Sequence, residues 1–166
     1  MNDYDWFIIA RAVHVLSVVM WIGGVAFITT VLLPAMLKHI KNEQRFTLFE
    51  QLEHSFSWQA KLTTIAAGVS GFYMLYFLNA WHRYLYVEFW WLHLMTIIWL
   101  IFSIVLFVLE PLFLHKWFEN QAKTNSKQTF ITILRMHRVL LFLSLLAVAG
   151  AVLGSHGGLP MFNNEY

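Results

Sequence analysis

Four long apolar stretches, each almost free of charge, dominate the chain: residues 6–33, 58–78, 89–113 and 130–154. About 20 apolar residues, each rising ~1.5 Å along a helix, cross the ~30 Å hydrocarbon core of a bilayer. Each stretch therefore predicts a transmembrane helix. The most apolar windows of the last three are 62–78, 89–109 and 139–153, and the one charge inside the first is Arg11. Between the first two spans, Phe46, Phe49, Leu52 and Phe56 recur at helical spacing, with Gln44, Glu50, Gln51 and Glu53 among them. This pattern predicts an interfacial helix running into the second span. The polar stretch 120–129 reads as a loop. Four helices consume most of the chain, so the expected fold is all-α: residues 1–166 form a single membrane domain, a four-transmembrane-helix up-down bundle.

Composition supports that solvent. Hydrophobic residues make up 59% and charged residues 12% of the chain, and mean hydropathy is +0.60. A soluble domain carries about a quarter charged residues. A water-soluble domain, a disordered tail and a coiled coil are excluded. The 17% aromatic content suits belts at two membrane interfaces. Asp3 and Asp5 stand where a signal peptide would be basic, so the first span is expected to be a retained helix.

Lys and Arg fix the expected orientation. Lys38, Lys41 and Arg45 lie between spans one and two, with Lys61 at the start of the second; Lys116, Lys123 and Lys127 lie between three and four, with Arg135 and Arg138 where the fourth begins. The connection between two and three has Arg83 alone. Both basic segments are expected on the cytoplasmic side of a bacterial inner membrane, with both termini periplasmic. The net charge of +2 thus reports topology, not nucleic-acid binding. With no Cys, disulfides, iron–sulfur clusters and thiolate chemistry are excluded.

The eight His carry the candidate chemistry, because histidine within a membrane is costly and usually functional. Counting from the outer ends of their spans, His14 lies ~12 Å deep and His93 ~6 Å deep. His54 and His137 sit together at the cytoplasmic level. In an up-down bundle, spans one and three are diagonal, as are two and four. Each pair of imidazoles could therefore face across the core, as a six-coordinate haem iron requires. Arg11, one turn before His14, and Arg138, beside His137, could meet haem propionates. Without Cys, attachment would be non-covalent, hence haem b, one or two per chain. Each imidazole could instead be a buried or interfacial hydrogen-bonding group. His39, His82 and His115 read as interfacial, and His156 as a lesser outer candidate. Gly23 and Gly24, Gly68 and Gly71, and the Gly150/Gly154 pair offer small faces to a helix or a flat cofactor. Glu110, before Pro111, reads as solvated near the headgroups, with a proton carrier as the alternative. Lys61 reads as snorkelling.

The stretch from His14 through Trp21 to Gly23-Gly24 resembles the first-helix signature of CopD-like membrane proteins and HemJ-type protoporphyrinogen oxidases. Arg11 stands where that signature often has a basic residue. Phe49-Glu50-Gln51-Leu52-Glu53-His54 and Trp91-Leu92-His93 are similar to HemJ-type motifs as well. The resemblance covers roughly residues 6–110 and implies haem-ligand or near-haem roles for His14 and His93. The chain departs from the HemJ pattern at Met95, where a Lys is usual, and its seven Met are scattered, with no soft-ligand cluster for copper. The leading expectation is a b-type haem cytochrome in contact with lipid, passing electrons to or from quinone or another redox protein. A porphyrinogen oxidase and a copper transporter are the alternatives. Catalytic residues are not identifiable, and a homo-oligomer is compatible with the sequence.

Overall fold

The computed structural model describes residues 2–155; side chains at 42–43, 46, 50, 53–55, 113–126 and 155 lie outside the description. Among the described residues the fold is helical and contains no strand. Helix α1 spans Asp3–Phe27 and opens on a capping box. The Asn2 side chain accepts from the Asp5 N–H at 2.9 Å, and the Asp5 carboxylate accepts from the Asn2 N–H at 2.8 Å. The helix widens to π-type turns over Ile28–Leu32 and continues as α2, Leu33–His39. Pro34 explains the widening. It has no N–H for the preceding turn, and its ring crowds the carbonyl four residues back. Thr29 and Thr30 add hydroxyl bonds to the Val25 and Ala26 carbonyls in the same turn.

Helix α3 is a single 36-residue rod, Asn42–Phe77. The expected interfacial segment is its first third, continuous with the rest. The described aromatics of that segment bury against protein: Phe49 meets Phe130 edge-on at 5.3 Å, and Phe56 covers Gly24. The rod ends at Asn79 in the left-handed conformation, φ +49°, which asparagine tolerates. Two short 3₁₀ segments, Ala80–Leu85 and Val87–Phe89, lead to α4, Trp90–Ile104. A second π-type stretch, Val105–Leu114, contains Pro111. Helix α5 covers His115–Ser155. The expected loop over 120–129 is therefore helical. Its residues include Gln, Ala and Lys and no Gly or Pro, so nothing in that composition breaks a helix.

Three stretches are helices long and apolar enough to cross a membrane: Asp3–His39, Val87–Leu112 and Lys127–Gly154. These correspond to the first, third and fourth expected spans. α3 is not among them, because Ser57, Lys61, Thr63, Thr64 and Ser70 dilute its hydropathy. Those polar groups face inward, and Ser57, Thr63, Thr64 and Ser70 are all buried.

Two apolar clusters hold the helices together. One joins Trp21 and Val25 of α1, Ala67 of α3, Ile98 and Phe102 of α4, and Leu141 and Ala147 of α5. Trp21 and Phe102 meet edge-on at 4.9 Å in its centre. The second joins Ile28, Leu33 and Met36 to Phe49, Phe130, Ile133 and Leu134. It lies toward the end of the molecule bearing Lys38 and Lys41, called here the basic end. At the other end are Trp81, Tyr84, Tyr86 and Trp90. Outward-facing apolar residues such as Leu16, Val19, Ile104 and Phe142 are exposed, as lipid contact requires.

Candidate functional site

His14 projects from α1 onto α3. Its Nδ1 lies 2.9 Å from the Ala67 carbonyl oxygen and 3.3 Å from Ser70 Oγ. Ser70 spends its own proton on backbone carbonyls of α3. Both groups facing Nδ1 are thus acceptors, so Nδ1 carries the ring proton and Nε2 the lone pair. Gly71 makes room for the ring, since a Cβ there would stand 3.1 Å from His14 Cε1. Nε2 makes no hydrogen bond among the described residues.

His93 is held differently. Its Nδ1 lies 3.1 Å from the Phe89 carbonyl of its own helix, and its Nε2 lies 3.1 Å from the Tyr84 carbonyl. The Tyr84 ring packs edge-on against the imidazole at 5.5 Å. The Tyr84 hydroxyl lies 2.8 Å from Thr96 Oγ1, which donates to the Leu92 carbonyl. His93 thereby ties the 3₁₀ connection to α4. The structure does not bring His14 and His93 onto one partner: His14 binds α3, and His93 binds the connection before α4.

At the basic end, His137 Nδ1 lies 3.0 Å from the Ile133 carbonyl one turn back, and its Nε2 makes no hydrogen bond among the described residues. The backbone of His54 is helical, but its side chain lies outside the described residues, as does that of His115; His156 lies outside them altogether. His39 and His82 are exposed. Arg11 and Arg138 are exposed too. Arg138 lines a groove of about 390 Å³ between α5 and the π-type turn of the first rod, with Thr29, Thr30, Pro34, Leu141, Phe142 and Leu145.

The small faces already hold flat groups. The Trp99 indole lies over Gly68, Trp90 and Trp91 cover Gly150, and Trp91 covers Gly154. Trp99 Nε1 also donates to the Thr64 carbonyl at 2.9 Å. Helix packing accounts for these glycines. The donor set therefore fits haem in part. His14 and His137 each keep Nε2 as a lone-pair donor with Nδ1 anchored, whereas His93 has a carbonyl at both nitrogens. Among the described residues no three His, Asp or Glu side chains group to hold a bare metal ion.

Two features escaped the sequence reading. Lys61 Nζ lies 3.1 Å from Glu110 Oε1, and Ser57 Oγ donates to the same oxygen at 2.6 Å. Lys61 and Glu110 are opposite charges at one depth in neighbouring apolar spans, which is the signal that could have joined them. Arg45 is buried, and donates from Nε to the Met36 carbonyl and from Nη2 to the Leu37 and Ile40 carbonyls. It closes the C-terminus of α2, where helix carbonyls attract a cation. Its place among loop charges concealed this role.

No protein-family model, curated protein or solved structure matches this chain.

Proposed function

We propose that this protein is a b-type haem cytochrome of the membrane, carrying electrons within or across the bilayer, with α3 as its fourth crossing. Leu62, Ile65, Val69, Phe72 and Tyr76 support the crossing. They are exposed at helical spacing along α3 and form an apolar stripe suited to lipid. An up-down path then puts the basic end in the cytoplasm and both ends of the described chain outside.

The observation that carries the haem reading is the His14 imidazole. A metal-binding histidine characteristically donates its other nitrogen's proton to a carbonyl or similar acceptor, which fixes ring and tautomer. Ala67 and Ser70 accept from His14 Nδ1 in this way, and Gly71 leaves room for the ring. Arg11, one turn away, is the cation for a propionate. His137, anchored by Ile133, is the equivalent donor at the basic end, with Arg138 beside it; His54 is its candidate companion. His93 can serve as a ligand only by giving up the Tyr84 carbonyl, so the haem count, one or two, turns on that contact. When bound, haem supplies one-electron reduction and reoxidation. The chain supplies nitrogen donors, apolar walls and cations that tune the potential. The redox partner is quinone or another redox protein.

Met95 favours this reading over porphyrinogen oxidation. At the position where HemJ-like sequences carry Lys, the Met95 side chain packs on the core of Trp21, Ile98 and Phe102. The test is the absorption spectrum of purified protein. A Soret band that shifts on dithionite reduction is expected; protein purified from haem-sufficient cells without such a band would contradict the proposal.

A further inference from the structure

Among the described residues, three buried polar side-chain atoms inside the apolar bundle have no hydrogen-bond partner. Thr64 is fully buried, and its Oγ1 has no hydrogen-bond partner. The buried Nε1 of Trp21 and Oγ of Ser103 also lack one. Helix register brings the three close in depth. α1 meets α3 at His14–Ala67 and Gly24–Phe56, which sets Trp21 opposite Gln59 and Ala60, about one turn from Thr64. α3 meets α4 at Thr64–Trp99 and Lys61–Glu110, which sets Ser103 opposite the turn of Thr64. Each buried polar group left unpaired costs about 1–3 kcal/mol. Three from three helices within about one turn of each other call for polar ligands between them, and water is the ligand that both donates and accepts.

We infer that Trp21 Nε1, Thr64 Oγ1 and Ser103 Oγ bind internal water in a half-channel that opens at the basic end through Ser57, Lys61 and Glu110. On the basic-end side, Lys61 lies within a turn of Thr64 and Glu110 about two turns from Ser103, and each side chain is about a quarter exposed. They therefore join the seam to the surface. Glu110 uses Oε1 for both of its contacts and has Oε2 left to accept from water. Pro111 supplies no N–H to the preceding turn, which leaves a backbone carbonyl of that turn to accept from water. Toward the aromatic end the seam closes. The Trp99 indole covers Gly68, and Ala67 and Ile98 are buried in the apolar cluster. The path thus carries water and protons from the basic end to mid-membrane depth and stops there. It stands whether or not the chain binds haem.

The absence of Cys makes single-cysteine variants unambiguous. In the full chain in sealed vesicles, a small charged methanethiosulfonate reagent reacts only with a thiolate that water reaches. Ser103→Cys should be modified from the basic end and not from the other. Ile98→Cys, in the apolar cluster, and Leu100→Cys, on the exposed apolar face, should stay unmodified. A Ser103→Cys protein inert from both sides, or labelled no faster than Ile98→Cys, would overturn the inference. Thr64→Val provides a reading that needs no cysteine. If its hydroxyl holds water, the nearly isosteric valine lowers the unfolding temperature. If the site is dry, removing an unpaired hydroxyl raises it, and the half-channel is wrong.

Discussion

Gly68→Ala puts one methyl group where α3 meets the Trp99 indole. A Cβ on Gly68 would lie 2.6 Å from Trp99 Cζ2 and 2.7 Å from both Cε2 and Nε1. Comfortable carbon contacts are about 3.5–4.0 Å, so the indole must retreat by ~1 Å. That retreat breaks the 2.9 Å bond from Trp99 Nε1 to the Thr64 carbonyl. Overpacking of this kind costs about 1–3 kcal/mol, and a lost hydrogen bond adds about 1 kcal/mol. Alanine in a helix returns about 1 kcal/mol relative to glycine. The net expectation is a loss of about 1–3 kcal/mol. Gly23→Ala is the control. Nothing lies within 4 Å of a Cβ there, so that variant should keep the helix gain and be at least as stable as wild type. The assay is denaturant unfolding in one detergent, followed by far-ultraviolet circular dichroism, with tryptophan emission reporting the indole's shift. If Gly68→Ala proved as stable as Gly23→Ala, Trp99 would not occupy that face. The glycine cradle would then be open to another flat group.

Three further outcomes follow from the same geometry. Lys61→Met and Glu110→Gln should each destabilise by about 1–3 kcal/mol, below the cost for a fully buried pair, because each end is about a quarter exposed. The double variant should lose less than the sum, and strict additivity in unfolding experiments would show that the pair does not form. Arg45→Met should cost about 2–4 kcal/mol, since the carbonyls of Met36, Leu37 and Ile40 lose a charged donor. Proteolysis near Lys41 should accelerate with it, and unchanged cleavage would count against the cap. Tyr84→Phe should loosen the connection before α4 by removing the hydroxyl bond to Thr96; unaltered hydrogen exchange over 80–89 would contradict that role.

Hydropathy alone located α1, α4 and the membrane part of α5, because those helices are apolar nearly all round. α3 was harder. Its inward face carries hydroxyls that bond to carbonyls within the helix, so composition understates how well it suits a bilayer. The π-type turns were legible only as Pro34 and Pro111, whose effect depends on the whole rod continuing past them. Sequence marked His14 as polar in an apolar helix. It could not choose between α3 and α4 as the neighbour, since helix rotation is set by packing. The same blindness hid the Lys61–Glu110 pair, whose members lie 49 positions apart. Depth alone points His93 to the bundle core, but the Tyr84 carbonyl, in the connection before α4, meets its Nε2.

In the proposed reading His14 Nε2, left its lone pair by the Nδ1–Ala67 contact, ligates haem iron. A pyridine haemochrome assay with protein quantitation, run on wild type and His14→Ala purified in parallel, tests it most directly. Haem b is expected in wild type, with a lower haem-to-protein ratio in the variant and helix content unchanged by circular dichroism. Equal ratios in the two proteins would contradict it.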